Sequence, residues 1–132
     1  MTVKSSVNLQ SLVDTHEQPF VIIDREFRIV AVNRAYEREY GIARDLMVGK
    51  HCYQVSHHND KPCFEAGEEC PHQNVFENGC SSSCLHIHYD EQGNTHRVRI
   101  NAYPITDSDG DMYLGEAIDD ISTSSKESAD KL

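Results

Sequence analysis

The chain has 132 residues, of which 12 are Lys or Arg and 22 are Asp or Glu, so its formal net charge is −10. This length suits one domain of ordinary size. The acidity argues against a nucleic-acid surface, because phosphate binding needs clustered Lys and Arg. The longest apolar stretch, Phe20–Ile23, is far shorter than the roughly 20 residues of a membrane span. Since the N-terminus has no apolar signal core either, we expect a cytoplasmic protein without membrane contact.

The first part of the chain predicts a helix, two strands and a second helix. Apolar residues close to the spacing i, i+3, i+4, i+7 predict a short amphipathic helix over 7–16, and β-rich runs predict strands over 20–24 and 28–33. Asn33 is a good N-cap and Gly41 a good stop, so we expect residues 34–40 to be helical.

The second part predicts one helix followed by three strands. Pro71 suits the first position of a helix whose C′ residue is Gly79, and the strands fall at about 84–90, 95–103 and 112–121. Together these elements predict an α+β fold, a five-stranded antiparallel sheet with short helices on one face and an N-terminal amphipathic helix. We divide the chain into an N-terminal helix (1–18), a main domain (19–121) and a linker or tail (122–132).

Cys84, His86 and His88 alternate along the third strand and therefore share one face of the sheet. A three-residue turn with Gly93 left-handed would turn both histidines towards the core, whereas a two-residue turn would shift the register by one and bury Leu85, Ile87 and Tyr89 instead. The Asp and Gly positions of the turn favour the first register and simple apolar alternation favours the second. We expect the first register, which turns His88 towards the core. There its imidazole could be an additional or substitute ligand of a metal bound by the cysteines that precede this strand.

Cysteine and histidine cluster in the segment between His51 and Cys80, which has no clean helical or strand period. Cys52, His57, Cys63 and Cys70 form a Cys₃His set, a composition typical of structural zinc, and thiolates also suit an iron–sulfur cluster. Such a metal would help to order a segment with few large apolar side chains. Thiol redox chemistry and buried, inert cysteines remain as alternatives.

Several runs together resemble PAS sensor domains over residues 19–121. They are Pro19–Asp24, Ile29–Ala35, Ala102–Asp107 and Ala117–Ile121. The middle of the chain is similar to a Cys-containing subset of PAS domains found in histidine kinases and other bacterial signalling proteins. The residues that carry this second resemblance are Gly49-Lys50-His51-Cys52-Tyr53, His57, Pro62-Cys63 and Cys70-Pro71.

The apolar stripe of Leu9, Leu12 and Val13 is too narrow to be a core by itself, so we expect a homodimer that forms through the N-terminal helix.

The resemblance implies a sensory domain that relays a signal to an output domain such as a histidine kinase. From the residues themselves we expect it to sense through zinc or an iron–sulfur cluster bound at Cys52, His57, Cys63 and Cys70. The resemblance leaves heme and flavin open as cofactors. The alternatives are a metal-free thiol redox sensor and a PAS dimerisation module with structural cysteines. We expect no enzyme, since the sequence has no nucleophile–base pairing, phosphate-binding glycine loop or HExxH motif.

Overall fold

The computed structural model describes residues 9–56 and 71–122. Their elements in chain order are α1 (Leu9–Val13), β1 (Phe20–Ile23), β2 (Ile29–Val32), α2 (Arg34–Tyr40), α3 (Arg44–Met47), α4 (Cys52–Ser56), α5 (Pro71–Asn78), β3 (Ser82–Tyr89), β4 (Thr95–Thr106) and β5 (Met112–Asp120). This order confirms the α+β class predicted from the sequence. None of the described helices is long and apolar enough to cross a membrane.

The strands form one antiparallel sheet in the order β2-β1-β5-β4-β3. Strand β1 pairs with β2 through Ile22 and Ala31, and with β5 through Ile22 and Gly115. The last strand therefore lies in the middle of the sheet, between β1 and β4. Its C-terminal end is thus in direct contact with β4, the neighbour of β3.

Helices cover both faces of the sheet. The inner face packs against α2 to α5 in a cluster that includes Val21, Ile23, Tyr36, Tyr40, Met47, Val55, Val75, Ile100 and Leu114. The outer face carries a smaller cluster in which α1 supplies Val13, with Leu9 and Leu12 packed beside it, against Phe20, Ile22, Ala31 and Ala117. The two clusters follow from the alternation of side chains along β1.

The turn between β3 and β4 has the three-residue loop that the Asp and Gly positions favour. The amide of Asp90 donates to the carbonyl of Asn94 (3.0 Å), and Gly93 donates to the carbonyl of Asp90 (3.0 Å) with a φ of 82°. This turn pairs His88 with His96 and places both histidines of β3 on the inner face. The first of the two predicted registers is therefore confirmed.

Helix α2 has the ends that the sequence predicts. The side chain of Asn33 accepts a hydrogen bond from the amide of Tyr36, and Gly41 follows the helix in the left-handed conformation with a φ of 69°. Glycine adopts this conformation without the steric penalty that a β-carbon brings. The start and the end of α2, and hence the position of Tyr40, are fixed by local chemistry.

Helix α1 and strand β4 differ most in length from the prediction. Helix α1 stops at Val13, because the amides of Thr15 and His16 bond to carbonyls three residues earlier and tighten the chain into a turn. Strand β4 runs past residue 103 to Thr106, through Pro104. Pro104 is tolerated because it lies beyond Ala102, the last residue of β4 that pairs with β3.

Candidate functional site

Strand β3 places a row of metal-binding side chain types on the inner face of the sheet. Cys84, His86 and His88 are 7%, 3% and 2% exposed, while Leu85 and Ile87 between them face outwards at 52% and 38%. Buried histidines are uncommon, and two of them on a single strand in place of aliphatic residues call for a specific reason. At these three positions the strand therefore buries two imidazoles and a thiol instead of aliphatic side chains.

Tyr40 at the end of α2 holds one of these imidazoles in place. Its hydroxyl lies 2.5 Å from Nδ1 of His88, and the two rings meet edge to face with centroids 5.9 Å apart. Tyr40 also packs against Tyr36, at a centroid distance of 4.5 Å. Because Nδ1 of His88 is engaged by the hydroxyl, the opposite nitrogen, Nε2, is the one suited to ligation.

The phenol of Tyr40 stays neutral at physiological pH. Burial raises its pKa well above the usual 10, and the negative charges of Glu39, Glu116 and Asp120 raise it further. A neutral phenol can both donate and accept a hydrogen bond. Tyr40 can therefore accompany either tautomer of His88.

His86 lies next to His88 on the same face, with ring centroids 6.0 Å apart and ring planes at 64°. The Cα partners of the two residues on β4 are Val98 and His96. The inner face at this point thus contains two adjacent imidazoles on β3, opposite Val98 and His96 of β4. Imidazole nitrogen is a common ligand of zinc, copper, iron and nickel.

Cys52, the first of the four predicted metal ligands, is half-buried at the start of α4. Its side chain packs against the inner-face cluster, to which Cys84 also belongs, and its amide donates to the carbonyl of Phe27 at 2.8 Å. The other three predicted ligands, His57, Cys63 and Cys70, lie outside the described residues. The structure therefore positions one thiol of the predicted set and places Cys84, His86 and His88 on the same side of the sheet. Among the described residues, no three of these four side chains have their ligand atoms within 4.8 Å of one another.

The start of α5 contacts the turn between β1 and β2, which also contacts the start of α4. His72 stacks on the ring of Phe27, with centroids 3.8 Å apart, and Nε2 of His72 lies 3.1 Å from the carbonyl oxygen of Asp24. Burial lowers the pKa of His72, which favours its neutral form. Phe27, which adopts a φ of 66°, therefore contacts Cys52 through its backbone and His72 through its ring.

Tyr40 is the site residue that sequence reasoning missed. The sequence places it on the apolar stripe of α2, where a buried tyrosine has no evident polar role. Its hydroxyl meets His88, 48 residues away, only because α2 packs across the sheet onto β3. The only sequence signal is that a buried tyrosine usually finds a hydrogen-bond partner.

Comparison with known proteins relates the whole arrangement to one family. A family model described as a PAS domain matches residues 17–123. Among solved structures, the PAS domain of an HTR-like protein from Haloarcula marismortui superposes with a TM-score of 0.64 at 16% identity, covering 86% of this chain and 94% of that one. No curated protein sequence matches the chain.

Two further solved structures have the same fold. The PAS domain of Bordetella pertussis BvgS gives a TM-score of 0.57 at 21% identity and covers 86% of this chain and 82% of that one. The LOV protein of Rhodobacter sphaeroides gives 0.65 at 12% identity and covers 85% of this chain and 64% of that one. At these identities the likeness establishes the fold that the sequence predicts.

Proposed function

From the premise that this chain belongs to the PAS domain family, we propose that it is the sensory module of a signal-transduction protein and reads its signal at a Cys/His metal site. The observation that carries this proposal is the buried pair of His86 and His88 on the inner face of β3. Two aliphatic side chains at those positions would stabilise the core without the free-energy cost of burying polar nitrogen atoms. Their presence in the core fits a ligand that needs nitrogen donors inside the domain.

The ligand set we propose is Cys52, His57, Cys63 and Cys70, with His88 as an additional or substitute donor. Cys52 packs on the inner-face cluster that contains Cys84. Thiolate and imidazole together suit zinc or an iron–sulfur cluster, and either would supply a centre whose occupancy or oxidation state carries the signal. The hydroxyl of Tyr40, which contacts Nδ1 of His88, would fix the orientation of the imidazole ring while Nε2 binds the metal.

A chain of contacts connects this site with the end of the domain. His88 pairs with His96 on β4, and Nδ1 of His96 lies 2.6 Å from Oδ2 of Asp120 at the end of β5. Oδ1 of Asp120 then accepts a hydrogen bond from the amide of Ser122 (2.9 Å). A shift of β3 would thus reach the segment that leaves the sheet, where we propose that a histidine kinase or a similar output domain, and a second copy of the chain, receive it.

A light-oxygen-voltage domain among the structural neighbours, whose structure is described together with a flavin analogue, favours flavin as a second candidate ligand. The same inner face would take it, since His86, His88 and Tyr40 supply hydrogen-bonding groups there. The two proposals differ in an observable way. Zinc is colourless and clusters absorb broadly in the blue, whereas flavin has structured bands and heme has a sharp Soret band.

The test is elemental analysis and a visible spectrum of the chain purified without oxygen. We expect about one zinc ion or one cluster per chain, lost in Cys52→Ser and in Cys63→Ser. The control is Cys80→Ser, since Cys80 is exposed and the one hydrogen bond of its thiol within residues 9–56 and 71–122 is to the carbonyl of Asn78 (3.4 Å). A chain that is metal-free under these conditions, or one that carries flavin or heme, overturns the metal proposal and leaves the PAS assignment intact.

We further propose that the module senses without catalysing a reaction. The inner-face groups of the described residues lie in a packed core, and His88 is 2% exposed. A catalytic group must reach a substrate, whereas a sensor needs only to change its own packing. A turnover that depends on His86 or His88 would contradict this proposal.

A further inference from the structure

A second cluster of ligand-type side chains lies apart from the cysteines, on the side of the sheet where β5 ends. Glu39 of α2, His96 of β4 and Asp120 of β5 have potential ligand atoms within 4.8 Å of one another, and all three residues are partly buried. They come from three elements far apart in sequence. The sheet order and the packing of α2 bring them together.

Each carboxylate next to His96 is held by backbone groups. Oδ1 of Asp90 accepts hydrogen bonds from the amides of Gln92 and Asn94, both at 2.9 Å, and this leaves Oδ2 at 2.8 Å from Nε2 of His96. Asp120 likewise uses Oδ1 for the backbone of the next segment and directs Oδ2 to Nδ1 of His96. Such fixed carboxylates lose little entropy when they bind an ion.

The cluster has an excess of negative charge. Three carboxylates, those of Glu39, Asp90 and Asp120, surround one imidazole, and among the residues that the structure describes no lysine or arginine forms an ion pair with them. Burial raises the pKa of Glu39, the charge of His96 lowers it, and the negative charges of Asp120 and Asp90 raise it. The hydrogen bond to Asp90, together with the one to Asp120, raises the pKa of His96. With a protonated imidazole the formal charge of the cluster is −2, and exchange of one proton for a dication changes it to −1.

We propose that Glu39, Nδ1 of His96 and Asp120 bind one divalent metal ion, and that Asp90 is the positioning residue that accepts a hydrogen bond from the N–H group at Nε2 of His96. The carboxylate–imidazole–metal arrangement is the usual way in which a second carboxylate orients a histidine ligand. On binding, His96 releases the proton on Nδ1 to solvent and the ion takes its place beside Asp120.

The geometry needs only small adjustments. Ligand atoms bound about 2.0–2.2 Å from one ion lie roughly 3–4.4 Å from each other, close to the present spacing within 4.8 Å. One imidazole with two carboxylates suits Mn²⁺ or Zn²⁺ better than the soft ions that prefer thiolate. The ion would tie α2 and β4 to the end of β5, next to Ser122.

The experiment is a titration of the full chain with Mn²⁺, in which the loss of the electron paramagnetic resonance signal of the free ion measures binding. It is run on the Cys52→Ser variant as well as on the wild type, because that variant lacks one ligand of the proposed sensory site. We expect saturable binding of about one ion per chain in both proteins. Equal binding in both proteins would show that this site is distinct from the proposed sensory site. That result does not depend on whether the cysteines bind a metal.

Variants then assign the ligands. Glu39→Gln and His96→Gln should abolish saturation, and Asp90→Asn should weaken binding by about 10–100-fold, as removal of a second carboxylate does. Asp111→Asn, in the exposed turn between β4 and β5, is the matched control and should bind like the wild type. Circular dichroism checks that each variant is folded.

Two outcomes overturn the inference. One is the absence of saturable binding by the wild type at millimolar Mn²⁺. The other is wild-type affinity in both Glu39→Gln and His96→Gln, which would mean that the ion sits at other surface carboxylates. If His96→Gln fails to fold, Glu39→Gln decides alone, because Glu39 lies on a helix surface and, among the described residues, makes no side-chain hydrogen bond.

Discussion

Replacing Asn33 by alanine removes the residue that ties the N-terminal segment to the rest of the domain. Asn33 is 2% exposed. Its Oδ1 accepts hydrogen bonds from the amides of Tyr36 (3.0 Å) and Phe20 (3.1 Å), and its Nδ2 donates to the carbonyls of His16 (3.0 Å) and Gln18 (2.8 Å). One side chain thus joins the segment after α1, the start of β1 and the first turn of α2.

The expected cost follows from these four bonds. Loss of the helix N-cap costs about 1 kcal/mol, and each of the other three bonds contributes about 0.5–1.5 kcal/mol. We therefore expect Asn33→Ala to lower the free energy of unfolding by about 3–5 kcal/mol, a large part of the total for a domain of this size. Asn33→Ser keeps a hydroxyl that can cap α2 but is too short for the two carbonyls, so its cost should be intermediate.

The measurement is urea denaturation followed by circular dichroism. The control is Asn78→Ala, because the exposed side chain of Asn78 donates to Oδ1 of Asn74 within α5 (2.7 Å) and to no other group in the part of the chain that the structure describes. Its loss should change the free energy of unfolding by less than about 0.5 kcal/mol. If Asn33→Ala costs no more than about 1 kcal/mol, the cap alone accounts for the effect. The argument that Asn33 joins three segments would then be refuted.

Three further predictions concern other parts of the fold. His88→Ala should alter the metal content or the visible spectrum and lower the free energy of unfolding by about 2–4 kcal/mol. Tyr89→Ala should leave the spectrum unchanged. The reverse pattern in a spectroscopic titration would contradict the inward direction of His88. Leu12→Asp should dissociate the homodimer that we propose to form through α1 and the outer face, and sedimentation of a wild-type monomer at high micromolar concentration would refute it. Gly41→Ala should destabilise the protein more than Gly79→Ala in thermal melts. Both positions have positive φ, which costs about 1–2 kcal/mol with a β-carbon, but only at Gly41 would that atom overlap a side chain of the β3–β4 turn; equal costs would count against the contact.

Local chemistry explains why much of the fold could be predicted from the sequence. Asn33 and Gly41 specify the ends of α2 through one side-chain hydrogen bond and one positive φ. Asp90 and Gly93 specify the turn that sets the register of β3, and with it the inward direction of His86 and His88. These signals act over a few residues, so the tertiary structure does not override them.

Contacts between distant segments were decided only by the tertiary structure. Tyr40 reaches His88 because α2 crosses the sheet, and His96 meets Glu39 and Asp120 because β5 lies between β1 and β4. No periodicity or spacing encodes such a meeting, since it depends on how whole elements pack. The sequence by itself determined the five strands, α2 and α5, and through the chemistry of the β3–β4 turn it favoured the inward direction of His86 and His88, but it did not predict α3 or α4. The packing of those elements decided which of these side chains are close enough to form a site, because a site needs several groups at contact distance and only the packed core imposes that distance.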